Sequence, residues 1–282
     1  MVEHRRFGNL LPHFVLLAGV VIVAFPVYLA IVASTHDNSV IANGQMPLIP
    51  GSHGFATYWN TIVAGTGKTT RQPVGVMMLN SLIMALGIAA GKIAISIISA
   101  YAIVFFSFPL RMTAFWTIFI TLMLPVEVRI YPTYKITSDL YMLDSYAGLI
   151  LPLIASATAT LLFRQFFMTV PKELVEASKI DGAGPIRFFW DTLLPLSVTN
   201  IAALFVILFI YGWNQYLWPL LITTRDDMQT IVIGIKKIID VHDALTEWQV
   251  AMATAVLAML PPVAVVVLMQ RLFVKGLIET EK

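Results

Sequence analysis

Charged side chains inside apolar stretches are the residues of this sequence best suited to chemistry. Lys92 interrupts a long apolar run, and Glu127 and Arg129 end another. A charge at membrane depth costs at least about 2.5–3.5 kcal/mol on insertion scales, so each requires a specific partner. Ammonium and guanidinium groups both bind anions, and the planar guanidinium binds phosphate oxygens bidentately. Lys92 and Arg129 are therefore candidate contacts for an anionic small molecule.

Both charged sites also have a purely structural interpretation. Lys92 lies roughly 21 Å from the nearer end of its apolar run, too far to reach either surface easily. It could pair with a carboxylate or with helix-end carbonyls of a partner subunit. Glu127 and Arg129 should point to different sides of a helix kinked by Pro125, and near the end of the run they could simply be solvated.

A second candidate cluster combines amides with aromatic rings. Its members are Tyr211, Trp213, Asn214 and Gln215, followed by Tyr216 and Trp218. Amide groups beside aromatic faces suit a polyol or a sugar. Tyrosine and tryptophan also gather at membrane interfaces for generic reasons, and Pro219 after Trp218 fits that alternative.

The sequence predicts no catalytic residue, no metal site and no cofactor bound by this chain. Cysteine is absent, which excludes disulfides and thiolate ligands, and the five histidines are scattered. Residues 65–70 resemble only the end of a nucleotide-binding phosphate loop, because the first glycine is missing. The formal net charge of +2 is small and dispersed, so no nucleic-acid partner is expected.

The elements that position these residues should be membrane-spanning helices. Apolar residues make up 58% of the chain, charged residues 12%, and the mean hydropathy is +0.82. A span needs about 20 mostly apolar residues. Six runs meet or approach this length, so we expect an all-α polytopic protein with six transmembrane helices. The runs are 11–33, 74–106, 112–126, 145–163, 192–224 and 248–270.

Lysine and arginine placement predicts that both termini are cytoplasmic. The connections 35–73 and 223–247 then lie outside, and the connection 169–197 lies inside. Residues 35–73, rich in Gly, Pro, Thr and Asn, should be irregular surface chain. Loop 223–247 could contact a soluble partner or be an idle connector. Arg5 and Arg6 before the first run could also mark a cleaved signal peptide, although that run is longer than usual for one.

The inner connection 169–197 predicts a helical hairpin. Pro171 suits a first helical turn, and Glu173 and Glu176 suit the positive end of the helix dipole. Residues 181–184, Asp-Gly-Ala-Gly, should end the first helix, because glycine tolerates a left-handed C-cap. Pro185 should begin a second short helix that Pro195 closes. Such an amphipathic hairpin could lie on the membrane surface or dock into a groove of a cytoplasmic protein.

The same connection resembles the EAA loop of bacterial ABC import permeases. Glu176, Ala177 and Ser178 are followed by Gly182 and then by Leu194 and Pro195. Ser178 replaces the second alanine of the family pattern, and Thr192 replaces an isoleucine. Segments 122–130, 142–149 and 211–220 extend the resemblance to the carbohydrate-uptake (maltose-type) group, and within it to second permeases of sn-glycerol-3-phosphate importers.

This resemblance implies one permease domain over residues 1–282, with the type I importer fold, in the bacterial inner membrane. The implied partners are a second permease in a heterodimer, two ATPase subunits that hold ATP and Mg²⁺, and a periplasmic or lipid-anchored binding protein. The hairpin would couple the ATPase to the spans. The implied coupling residues are Glu176, Ala177, Ser178, Asp181, Gly182, Leu194 and Pro195. Glycerol-3-phosphate or a glycerophosphodiester is the implied substrate; a neutral sugar or polyol importer is the alternative, ahead of a secondary transporter or a membrane enzyme.

Overall fold

Helices are the only regular elements of the part of the chain that the structure describes. The computed structural model describes residues 10–65, 72–121, 126–240 and 246–279. Because side chains in the apolar runs offer the backbone no alternative hydrogen-bond partners, the chain satisfies its own peptide groups within helices. The helices are α1 (Leu10–Ala33), α2 (Asn38–Ala42), α3 (Gly54–Val63), α4 (Val74–Phe105), α5 (Arg111–Ile120), α6 (Val126–Asp139), α7 (Tyr146–Ile150), α8 (Ala157–Thr169), α9 (Lys172–Ile180), α10 (Pro185–Phe188), α11 (Leu194–Leu196), α12 (Val198–Trp213), α13 (Leu217–Ile222), α14 (Ile231–Ile239) and α15 (Trp248–Glu279).

Three helices are by themselves long and apolar enough to cross a membrane: α1, α4 and α15. Their bounds confirm the helices predicted over 11–33, 74–106 and 248–270. Pro26 lies inside α1, and Pro261 and Pro262 lie inside α15. Membrane helices tolerate such prolines where neighbouring groups satisfy the freed carbonyls.

Two further candidate spans are pairs of helices that meet at a bend. Tyr146–Leu153 and Ala157–Thr169 meet at 49°, and Ser156 caps the second part by accepting from the Ala159 amide. Pro185–Leu196 and Val198–Trp213 meet at 70°. Each bent pair can form one span, which brings the described candidates to five. The run predicted over 192–224 therefore comprises α11, α12 and α13, not one straight helix.

The third predicted run, 112–126, contains a helix too short to qualify. Helix α5 ends at Ile120 and α6 begins at Val126, while residues 122–125 lie outside the described part of the chain. The kink predicted at Pro125 falls there. The count of six spans and the cytoplasmic position of both termini consequently stay predictions.

The chain forms two compact units. One consists of residues 1–77 and 233–260, and the other of residues 78–232 and 261–282. In the first unit, α2 and α3 lie within the segment 35–73, so the irregular conformation expected there is wrong for these residues. Asp37 caps α2 by accepting from the Ser39 amide, and the Asn38 side chain accepts from the amide of Trp248.

The second unit has a core built around α4. Met84 and Ile88 of α4 pack with Leu149, Trp218 and Ile222. Small residues allow the close approach: a Cβ at Gly91 would lie 2.5 Å from Ile154 Cγ2, and one at Gly212 would lie 2.9 Å from the Ala85 Cα. Small residues at helix contacts are typical of membrane proteins, where tight van der Waals packing stabilises association. This core positions both the hairpin and the charged residues of the spans.

Candidate functional site

The hairpin α9–α10 begins where local sequence favours a helix. Pro171 is the N-cap of α9, so it precedes the first helical turn by one residue. Glu173 lies in the first turn and Lys179 in the last, which matches each charge to the opposite end of the helix dipole. The helix predicted after Pro171 is thus present, and Glu176 and Ala177 are exposed on it.

The turn after α9 has the hydrogen bonds of a Schellman motif. The Gly182 amide donates to the Lys179 carbonyl at 3.0 Å, and the Ala183 amide donates to the Ser178 carbonyl at 2.9 Å. Gly182 has φ +72°, a conformation that costs other residues roughly 1–2 kcal/mol. Asp181 is the C-cap. The helix end predicted at residues 181–184 is therefore confirmed, and its geometry favours glycine at position 182.

The second arm of the hairpin continues further than expected. Helix α10 begins at Pro185, as predicted, and runs through a π-helical turn over Phe189–Leu193 into α11. Pro195 lies within α11 and is exposed, so it does not close the helix; the run ends at Leu196, before the bend at Ser197. The Ser197 hydroxyl and amide both donate to the Leu193 carbonyl, which allows the backbone to change direction there.

Aromatic side chains anchor the hairpin to the C-terminal end of α4. The Tyr101 hydroxyl donates to the Pro185 carbonyl at 2.8 Å, and the Tyr101 and Phe189 ring centroids lie 5.1 Å apart. Phe188 is buried against Phe105, with centroids 5.5 Å apart. These contacts join the hairpin directly to the spanning helix α4.

The other side of the hairpin is an exposed surface of mixed character. Ile180, Ile186 and Trp190 are 85%, 77% and 60% exposed. Beside them a cavity of about 290 Å³ is lined by Ser178, Asp181, Arg187 and other hairpin residues. Large apolar side chains next to an acidic and basic groove are typical of a surface that binds a protein partner. Among the predicted coupling residues, Ala177, Ser178 and Asp181 line this cavity, Glu176 and Gly182 are exposed, and Leu194 and Pro195 belong to the second arm.

Lys92 is buried in the second unit, near the middle of α4. Its residue is 7% exposed, and its Nζ lies 3.8 Å from the centroid of the Tyr211 ring, a cation–π contact. Among the side chains that the structure describes, no carboxylate pairs with it. The Arg129 guanidinium acts on it as a like charge. The structure thus places Tyr211 in contact with Lys92, and Arg129 is the predicted pathway residue that acts on Lys92 through its charge.

Arg129 completes this group from α6. It is exposed, and its carbonyl accepts a hydrogen bond from the Thr133 hydroxyl one turn later. That hydrogen bond involves only the backbone of Arg129 and does not use its guanidinium group. The side chain of Glu127 lies outside the described residues, so the predicted divergence of Glu127 and Arg129 is not addressed.

The amide and aromatic residues after Tyr211 do not join the group. Trp213 is 2% exposed and stacks on Phe209 in the core. Asn214 is exposed at the C-cap of α12, and the Gln215 side chain donates to the Tyr211 carbonyl at 3.2 Å. In this conformation Trp213 is a packing residue. A pathway role for Trp213, Asn214 and Gln215 stays a prediction.

Sequence reasoning missed a polar network at the opposite end of α4 from the hairpin. Asn80 is 2% exposed and bonds residues from two other segments, and the Asp144 carboxylate binds the start of the loop 223–247. The signal was available, because Asn80 interrupts the apolar run 74–106 and such polar residues require partners.

Comparisons with known proteins show the family to which the chain belongs. Residues 81–279 match the profile of the family described as binding-protein-dependent transport system inner membrane component. The chain is 58% identical, over all 282 residues and the whole of each relative, to the sn-glycerol-3-phosphate transport system permease proteins UgpE of Rhizobium meliloti and Agrobacterium fabrum. It is 56% identical, over the same full lengths, to UgpE of Yersinia pestis.

One solved structure shows the fold. It is a bacterial ABC transporter involved in the import of the acidic polysaccharide alginate, and one of its chains matches with a TM-score of 0.80. The match covers 96% of this chain and 98% of that chain at 17% identity. At this identity the likeness concerns the fold alone.

Proposed function

The chain belongs to the family of binding-protein-dependent transport system inner membrane components, and on that premise we propose that it is the permease subunit through which an ABC importer moves sn-glycerol-3-phosphate. The observation that carries this proposal is full-length identity of 58% with permeases named for that substrate. The chain is a multi-pass protein of the inner membrane and a transport subunit, not an enzyme. A secondary transporter or a membrane enzyme would not belong to this family.

An importer of this class requires further subunits. It needs a second permease, ATPases and a substrate-binding protein. We propose that the second permease is a related chain that forms a heterodimer with this one. Two ATPase subunits would supply ATP and Mg²⁺ chemistry, and a periplasmic or lipid-anchored protein would deliver the substrate. Glycerophosphodiesters, which share the glycerol phosphate group, would enter by the same route.

The hairpin supports coupling to an ATPase. Its inner side is fixed to α4 by Tyr101 and Phe188, while Ile180, Ile186 and Trp190 are exposed. A rigid helix with exposed apolar anchors suits docking into a groove. Glu176, near the start of the exposed face, would meet a basic group of the ATPase. Movement of the ATPase would then reach the spans through the aromatic anchor.

The Lys92–Arg129–Tyr211 group supports an anionic substrate. Two cations that repel each other, with no carboxylate between them among the described side chains, are stabilised when an anion binds both. A phosphate monoester carries nearly two negative charges at neutral pH, which matches this pair. Tyr211 holds the Lys92 ammonium in the protein interior until the substrate arrives. Amides such as Asn214 and Gln215 would serve the glycerol hydroxyls after a conformational change.

A transport measurement tests the proposal. The chain is co-expressed with its second permease, ATPase and binding protein, reconstituted in liposomes, and given labelled glycerol-3-phosphate or a labelled neutral sugar. We expect ATP-dependent accumulation of the phosphate and none of the sugar. Uptake of the sugar with no uptake of the phosphate would contradict the substrate assignment and favour a neutral sugar or polyol importer of the same family.

A further inference from the structure

Asp144 forms hydrogen bonds to the start of the loop 223–247 and to the residue before it, through its carboxylate and through its own backbone amide. It lies in the turn between α6 and α7. Its carboxylate accepts from the amides of Thr224 and Arg225, at 2.6 and 2.9 Å, and from the Thr224 hydroxyl. Its own amide donates to the Ile222 carbonyl at 3.0 Å. The backbone that leaves α13 is therefore fixed to the α6–α7 turn by four hydrogen bonds.

Asn80 fixes the next part of the same segment. Its amide nitrogen donates to the Asp227 and Gln229 carbonyls, at 2.8 and 3.0 Å, and its oxygen accepts from the Tyr146 hydroxyl at 2.6 Å. Ser81 accepts from the Ile231 amide at 2.8 Å. Residues 224–231, together with Asp144, Asn80 and Ser81, form what we term the loop-base junction. It joins α4, the α6–α7 turn and the end of α13.

The charge of Asp144 strengthens this junction. Partial burial acts to raise the pKa of its carboxyl, but the Arg225 amide, the Thr224 hydroxyl and the Thr224 amide outweigh that effect and lower it. The group is therefore ionised at neutral pH, and hydrogen bonds to an ionised acceptor are about twice as strong as neutral ones. Its φ of +50° is one that aspartate tolerates better than most residues.

We propose that Asp144 is a positioning residue that orders the base of the loop 223–247 for docking of the substrate-binding protein. This inference rests on the proposed function. A loop whose base is already ordered loses less conformational entropy when a partner binds, so the complex is tighter. Because the same junction includes Asn80 and Ser81 of α4, docking at the loop would also act on the helix that carries Lys92.

The primary test is a titration of the reconstituted complex with binding protein loaded with glycerol-3-phosphate, measured as stimulation of ATP hydrolysis. Asp144→Gly removes the carboxylate and suits the positive φ, while Asp144→Asn keeps one acceptor oxygen. We expect the half-saturating concentration of binding protein to rise about tenfold for Asp144→Gly and less for Asp144→Asn. The maximal stimulated rate should stay near that of the unaltered complex.

Matched variants separate this role from a general structural one. Asp139→Asn removes an exposed carboxylate of α6 that pairs with Lys135 at 3.1 Å, and it should leave the titration unchanged. Thr224→Val removes one hydrogen bond to Asp144 and should raise the half-saturating concentration, whereas Thr224→Ser should restore it. Hydrogen–deuterium exchange should increase over residues 223–231 in Asp144→Gly and not in Asp139→Asn.

The outcomes are distinct. If Asp144→Gly gives an unchanged half-saturating concentration, the inference is wrong and the proposed function stands. A fall in maximal rate at unchanged half-saturation would indicate a structural role only and would also overturn it. If the complex with Asp144→Gly does not assemble, the half-saturating concentrations of Thr224→Val and Thr224→Ser are compared instead. An unchanged value for Thr224→Val would then overturn the inference. Failure of the loaded binding protein to stimulate the unaltered complex would instead contradict the proposed function.

Discussion

The hairpin over residues 171–197 and the Lys92–Arg129–Tyr211 group differ in how far apart in sequence the interacting residues lie. The hairpin turn closes through bonds between near neighbours, such as Ala183 to Ser178. The Lys92 group combines residues of α4, α6 and α12, which are distant in sequence. Substitutions in the hairpin should therefore act on one local conformation, and substitutions in the Lys92 group should act on a charge balance.

The largest effect should come from the hairpin turn. Gly182 has φ +72° and open space around its Cβ direction, so Gly182→Val is opposed by backbone strain and not by crowding. We expect Glu176→Lys/Gly182→Val to insert normally, to lose transport and to release the ATPase subunits, measured by co-purification. Gly184→Ala is the matched control, because Gly184 has φ −71° and equally open space. Normal uptake by the double variant would refute coupling through the hairpin.

The Lys92 group should show a graded effect on substrate affinity. A lost charge-assisted hydrogen bond costs about 1.5–3 kcal/mol, or roughly 10- to 150-fold in affinity. Arg129→Gln should raise the half-saturating substrate concentration within that range while ATP hydrolysis persists, and Lys92→Met should do the same if Lys92 contacts the substrate. Lys135→Gln, which alters an exposed lysine of α6, is the control. Equal transport by Arg129→Gln and the control would assign Arg129 to the solvated surface.

A smaller effect is expected at Tyr211. Its ring faces the Lys92 ammonium at 3.8 Å, a contact worth about 0.5–2 kcal/mol. Tyr211→Phe keeps the ring and should transport nearly normally, whereas Tyr211→Leu should lower transport by a few-fold. When each Tyr211 variant is combined with Lys92→Met, the two double variants should have equal transport rates. A difference that persists in that background would show that Tyr211 acts independently of Lys92.

The smallest effect should be that of pH on the loop-base junction. Because hydrogen bonds lower the Asp144 pKa, its stabilisation is complete above the ordinary carboxyl value and is lost only as pH falls through the lowered value. Exchange over residues 223–231 should therefore show no Asp144-dependent change between about pH 6 and 8 once intrinsic exchange is corrected. A difference between Asp144→Asn and the unaltered chain that vanished near neutral pH would contradict an ionised Asp144.

The sequence predicted the spans and the hairpin well for a common reason. The helices α1, α4 and α15 follow from apolar runs that must satisfy their own peptide groups in lipid. The Gly182 turn follows from a glycine at a helix end. The sequence did not predict where packing bends an apolar run. The 49° break before Ala157 and the 70° bend at Ser197 both lie within continuous apolar patterns. Helices α2 and α3 were missed because they are short and lie in a segment whose other residues are typical of loops.

By itself the sequence determined that this protein is a helical membrane protein, that it has a helical hairpin between two apolar runs, and to which family of permeases it is similar. These properties depend on composition, on run length and on residues a few positions apart. Only the tertiary structure decided that Lys92 faces Tyr211, that Trp213 is buried, and that Asp144 and Asn80 bind the start of the loop 223–247. In an apolar helix every face resembles every other, so the choice of partners is made by packing between distant segments, which no local pattern records.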